Sequence, residues 1–165
     1  MKTRLLVPVI AALLLGTVGC TNPFAPNPPA TKAVTTDPEI KAAVDQYIAK
    51  YNAHDAEGVG ELYADDPNFR WIEDGKIVYE TRTAAVAGLT AFLAGFGESR
   101  LEAYDVKISM LNDDAAVASF RFTQVIAANG QASLKFEGVM TLGLTNADGD
   151  WKILVAHKSG GSVAN

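Results

Sequence analysis

The second half of the chain constrains the fold more than any other feature. From residue 104 onward, stretches of alternating apolar and polar residues are separated by turn-forming pairs. The stretches are 104–110, 115–127, 134–144 and 151–158, and the separators are Asn112-Asp113, Asn129-Gly130 and Asp148-Gly149. Asn, Asp and Gly tolerate the positive φ of tight hairpins, so this pattern predicts a meander of antiparallel strands.

Ahead of the meander the period changes. Ile40, Ala43, Val44, Tyr47, Ile48 and Tyr51 recur at helical spacing behind Asp37-Pro38, a good N-cap followed by a residue suited to the first helical position. Asp55 caps a second, shorter helix carrying Val59, Leu62 and Tyr63. A short hairpin is predicted around Asp74-Gly75, with Trp71 on one strand and Tyr79 on the other. A third helix runs from about Thr83, with Val86, Leu89, Phe92, Leu93 and Phe96 inward. Helices first and a long antiparallel sheet afterwards is an α+β arrangement: three N-terminal helices packed on a strongly curved, mostly antiparallel sheet.

Taking the first two separators as two-residue turns and 146–149 as a four-residue loop sets a register. Tyr104 then opposes Arg121, Arg121 opposes Gly138, and Gly138 opposes His157. Opposed residues share a face. One face accordingly carries Tyr104, Val106, Ile108, Met110, Val117, Val125, Leu134, Phe136, Met140, Leu142, Trp151, Ile153 and Val155, and should meet the helices. Asp105, Lys107, Phe120, Phe122 and Gln124 fall on the other. Within the apolar face the polar row Tyr104, Arg121, Gly138 and His157, with Ser119 and Thr123 nearby, implies a wet pocket, because a buried guanidinium without partners is costly.

The N-terminus carries an address. Lys2 and Arg4 precede an apolar run over 5–15, too short to span a bilayer and suited to a signal peptide ending at Gly19. Thr17-Val18-Gly19-Cys20 resembles the lipobox of bacterial lipoproteins, and Cys20 is the one cysteine of the 165 residues. That resemblance implies acylation at Cys20, a lipid bilayer as partner, and a place in the cell envelope. Thr21 rather than Asp follows, which implies the outer membrane, facing the periplasm. Residues 20–36, with Pro23, Pro26, Pro28 and Pro29, suit an extended tether. The folded domain is then expected over 37–160, with a short tail over 161–165.

Composition excludes several functions. The net charge of −5 offers no basic patch, so nucleic acid is not an expected partner. Two histidines far apart and one N-terminal cysteine leave no metal site, and no phosphate loop or nucleophile elbow occurs, so no cofactor is expected.

The segments Tyr47-Ile48-Ala49-Lys50-Tyr51-Asn52-Ala53-His54-Asp55, Leu62-Tyr63-Ala64-Asp65-Asp66, and Asp148-Gly149-Asp150-Trp151-Lys152-Ile153 through His157-Lys158-Ser159 resemble the nuclear transport factor 2-like superfamily, and within it the SnoaL-like group. The resemblance implies a cone-shaped, barrel-like α+β fold and a homodimer through the outer sheet face, where Phe120 and Phe122 would sit. It also brings the steroid-isomerase mechanism into view, in which a carboxylate base works with an oxyanion hole of tyrosine and protonated aspartate. Tyr47 falls at the tyrosine. The base's place is taken by about Trp71 and the aspartate's by Met140, with Glu73 or Asp74 able to substitute only in a shifted hairpin.

The expected function is therefore binding of a small, mostly apolar molecule. The expected pocket comprises Tyr47, Tyr51, Trp71, Phe92, Phe96, Tyr104, Ser119, Arg121, Phe136, Met140 and His157. Two alternatives stand beside it: an acid–base enzyme using Tyr47, Arg121 and His157, and a non-catalytic interaction module. Arg121 has two readings, an anionic ligand or a helix carboxylate such as Asp45.

Overall fold

A computed structural model describes residues 38–128, 130–147 and 149–163. The signal segment, Cys20, the tether and the Asp37 cap lie outside these residues. The first helix, α1 (Pro38–Asn52), buries Ile40, Ala43, Val44, Tyr47 and Tyr51, the face anticipated from spacing. His54 ends it at φ 57°, donating its N–H to Tyr51 O at 3.0 Å while Asp55 N–H reaches Lys50 O at 3.0 Å. That pair of bonds is a left-handed helix cap. Asp55 then caps α2 (Ala56–Glu61), its side chain accepting from Gly58 N at 2.8 Å.

The strands β1 (Arg70–Glu73) and β2 (Lys76–Tyr79) form the short hairpin, turned by Asp74 and Gly75 at φ 46° and 79°. After α3 (Arg82–Ala94) come four long strands: β3 (Glu98–Asn112), β4 (Ala115–Ala127), β5 (Leu134–Ala147) and β6 (Asp150–Val163). The last continues into the stretch expected as a tail. Together the six strands form one open sheet in the order β2-β1-β6-β5-β4-β3. It is antiparallel except where β1 runs parallel to β6, and it does not close into the barrel that the resemblance implied.

The core lies between the helices and one sheet face, and contains Phe69, Phe120, Phe122, Ile108, Met140, Leu142 and Ile153. The inferred register holds at Tyr104 and is broken elsewhere along the meander by bulges and by loop lengths. Tyr104 does oppose Arg121. Between Tyr104 and Lys107, however, β3 carries one residue more than β4, and Asp105 there adopts φ 57°. Such a bulge reverses the alternation. Tyr104 therefore shares the outer face with Arg121, while Ile108 returns to the core.

The β4–β5 connection spans 128–133 rather than two residues, so Arg121 opposes Val139 instead of Gly138. The β5–β6 turn is two residues long rather than four, and a second irregularity at Gly143/Leu144 leaves Leu154 as the extra residue of β6. His157 consequently opposes Thr141 and faces out, while Lys158 turns inward opposite Met140. These slips invert β4. Phe120 and Phe122 are 2% and 0% exposed and lie in the core, not on an outer dimer face.

Candidate functional site

Strand β1 lies beside β6 with Trp71 opposite Ala156 and Glu73 opposite Lys158. Residues two apart on a strand share a face. Trp71 and Glu73 thus both project toward α1 and α3, and no shift of the hairpin is needed to bring a carboxylate inward. There they meet Tyr47 and Tyr51 from α1, Tyr63 from the turn after α2, and Tyr79 from β2. Phe92 and Leu89 of α3, Gln124 of β4, Met140 of β5 and Lys158 of β6 complete the walls of a cavity of about 150 Å³.

The rings pack on one another. Tyr63 stands 5.2 Å from Phe69 and 5.9 Å from Trp71 by ring centroids, and Tyr47 stands 6.5 Å from Trp71. The polar groups are held in two networks. Tyr51 hydroxyl contacts Ser99 Oγ at 2.7 Å and accepts from Gln124 Nε2 at 2.5 Å. Trp71 Nε1 donates to Glu73 Oε1 at 3.0 Å, which fixes the carboxylate beside the cavity. Lys158 Nζ lies 4.0 Å from the same oxygen and 5.7 Å from the centre of the Phe122 ring.

Burial pushes the Tyr47 phenol well above its ordinary value, and the neighbouring Tyr63, Tyr51 and Glu73 add to the rise. Tyr63 is raised by burial too, with Glu73 contributing, although a hydrogen bond from Tyr47 works the other way. For Tyr51, burial outweighs the bonds from Ser99 and Gln124. Desolvation disfavours a phenolate, so all three are neutral hydroxyls near pH 7. The cavity can offer neutral donors, one carboxylate, one ammonium and aromatic walls.

Five of the eleven expected pocket residues come together here: Tyr47, Tyr51, Trp71, Phe92 and Met140. Phe136 lines an adjoining chamber, and Phe96 packs behind Phe92 at 4.9 Å between centroids. Tyr104, Ser119, Arg121 and His157 lie on the outer side, because the register slips reversed their strands. Arg121 there is 62% exposed, stacks over Tyr104 at 5.4 Å and pairs with Asp105 at 4.0 Å, so neither a pocket anion nor Asp45 is its partner.

Tyr63, Glu73, Tyr79, Gln124 and Lys158 line the cavity although they are not among the expected pocket residues. The alternation Trp71-Ile72-Glu73 carried the signal for Glu73, and pairing β1 with β6 would have exposed Lys158 as its neighbour. Among the described residues no group of three His, Cys, Asp or Glu side chains could hold a metal ion.

The SnoaL-like domain model matches residues 40–163, the three helices and all six strands. The chain belongs to the SnoaL-like domain family. Solved structures agree on the fold. An NTF2-like superfamily protein from Salmonella enterica serovar Typhimurium LT2 superposes with TM-score 0.66 at 16% identity, over 77% of this chain and 92% of that one. An NTF-2 like protein of unknown function from Shewanella oneidensis MR-1 gives 0.59 at 19% identity, over 73% and 96%. A hexachlorocyclohexane dehydrochlorinase gives 0.65 at 14% identity, over 77% and 88%. At these identities the likeness shows the fold alone. No curated protein sequence matches the chain.

Proposed function

We propose that this SnoaL-like domain binds a small, mostly apolar molecule between its helices and sheet, at the end of a lipid-anchored tether in the bacterial cell envelope. One observation carries the binding reading: a largely aromatic cavity of about 150 Å³ into which Glu73 and Lys158 converge. An apolar pocket with a few placed polar groups is the usual form of a small-molecule site. The anchoring reading rests on the 2–20 segment and Cys20, with several acyl chains on one residue giving stable membrane attachment. Intact-mass measurement of protein from its host tests the anchor, since an unmodified Cys20 would refute it. Native mass spectrometry of the same material tests binding: a retained small molecule that raises the melting temperature when added back is the expected result. A domain that carries nothing and responds to no apolar ligand would refute it.

A second reading is an acid–base enzyme, favoured by the Glu73 carboxylate beside neutral phenols rather than by His157. In it Glu73 takes a proton from the bound molecule and the hydroxyls of Tyr47 or Tyr63 stabilise the developing charge. Glu73→Gln should then stop conversion of the retained molecule while leaving its binding. A molecule recovered unchanged after prolonged incubation with wild-type protein would argue for binding alone. The outer sheet face, where Val139 is 49% exposed, is available to a second copy. A monomeric mass in light scattering would count against a dimer.

A further inference from the structure

The cavity has a second chamber. Beyond Glu73, Phe92, Gln124 and Lys158, which border both spaces, lies a volume of about 270 Å³ that reaches Asp74 and Phe136. A space of about 150 Å³ is the size that holds a single six-membered ring, as benzene fills a cavity of that size elsewhere. The inner chamber is therefore ring-sized, and a ring seated in it meets Glu73 and Lys158 at its exit.

Those two side chains are a pair held slightly apart. Lys158 Nζ is 4.0 Å from Glu73 Oε1, an ion pair without a hydrogen bond. Two hydrogen bonds of about 2.8 Å meeting at a bent oxygen span about 4–5 Å, so one hydroxyl oxygen can bridge the pair. A hydroxyl both donates and accepts, and can satisfy a carboxylate and an ammonium at once. An anion placed here would face Glu73, and also Asp74, whose Oδ1 already accepts from Gly160 N at 3.1 Å. A cation would face Lys158. A plain hydrocarbon would displace water from both charges without adding a hydrogen bond to either.

We propose that the two-chambered pocket selects a neutral hydroxylated ring, a phenol or its alicyclic counterpart, with the ring in the inner chamber and the hydroxyl between Glu73 and Lys158. The assignment rests on the binding reading above. The larger outer chamber takes whatever substituent the ring carries on its exposed side.

The test uses phenol, toluene, benzoate and benzylamine as probes of the whole protein, with affinities measured by ligand-observed NMR. Wild-type protein should bind phenol at least about tenfold more tightly than toluene, the size of effect expected for hydrogen bonds to charged groups. Benzoate and benzylamine should be weakest. Glu73→Gln should improve benzoate relative to phenol, and Lys158→Met should improve benzylamine relative to phenol. Both side chains are partly exposed, so the variants should fold, and unchanged circular dichroism checks this. Toluene binding as tightly as phenol, a charged probe binding best to wild type, or a phenol preference that survives both substitutions would each overturn the proposal. In those cases the binding reading stands. If no probe binds at all, the ring assignment falls, and the native mass spectrum decides separately whether the binding reading falls with it.

Discussion

Asn52 grips the backbone of Leu101 through both ends of its side-chain amide. Its Oδ1 accepts from Leu101 N at 2.7 Å and its Nδ2 donates to Leu101 O at 2.8 Å. Leu101 lies on β3, an edge of the sheet, where a peptide group facing away from β4 has no strand to pair with. The amide supplies the missing partner and ties α1 to that edge, while Tyr51 beside it holds Ser99 two residues back.

Asn52→Ala should consequently destabilise the domain by about 1–3 kcal/mol, the range for leaving buried hydrogen-bonding groups unpaired. Asn52→Asp keeps the acceptor and loses the donor, and should fall between wild type and alanine. Urea unfolding measures both. An alanine variant as stable as wild type would mean that water replaces the clamp without loss.

Gly88 sits on α3 directly against Tyr79. A Cβ there would overlap the Tyr79 hydroxyl and ring, and the nearest atoms it meets are all of that side chain. Tyr79 is the free end of a flexible side chain, so Gly88→Ala should displace the ring and leave α3 intact. Alanine adds about 1 kcal/mol of helix preference over glycine, which should offset part of the lost packing. The expected outcome is little change in melting temperature and a clear loss of affinity for any ring-shaped ligand of the inner chamber. Equal affinity would show that Tyr79 does not shape the cavity.

His157 and Arg121 make the opposite prediction. Both lie on the outer side of the sheet, where Arg121 pairs with exposed Asp105 and stacks over half-buried Tyr104. His157→Ala and Arg121→Ala should each leave small-molecule binding unchanged and shift stability by no more than about 0.5 kcal/mol, as exposed substitutions usually do. Calorimetric titration with whatever ligand the host supplies checks the first part. A large loss for either would return the site to the outer face.

The contrast between these residues and Glu73 marks what could be seen before the structure. Helical spacing placed Tyr47 and Tyr51 on the buried side of α1, and turn chemistry at Asp74-Gly75 placed the first hairpin. Both signals are local. The faces of β4 and the end of β6 depended on loop lengths and on bulges at Asp105 and Leu154, and each extra residue exchanges the two sides of a strand. Taken alone, the run Ala116, Ala118, Phe120, Phe122 already named the buried side of β4. Chaining registers from strand to strand overrode it. The parallel pairing of β1 with β6, which sets Glu73 against Lys158, joins segments far apart in sequence and leaves no local trace.

The buried phenols give the domain a definite response to alkali. Tyr47 and Tyr63 have their ionisation raised above the ordinary 10.0, chiefly by burial, so the folded state prefers both protonated. Below pH 10 folded and unfolded chains bind these protons equally, and the contribution to stability is fully present. Above it the unfolded chain releases them while the folded chain retains them, so stability falls as pH rises toward the folded values. Urea midpoints should therefore drop steadily above about pH 10. Tyr63→Phe should make that decline shallower, because it removes one raised phenol. A slope identical in the variant would mean that Tyr63 ionises within the fold at its ordinary value, and that its hydroxyl is not sealed from water.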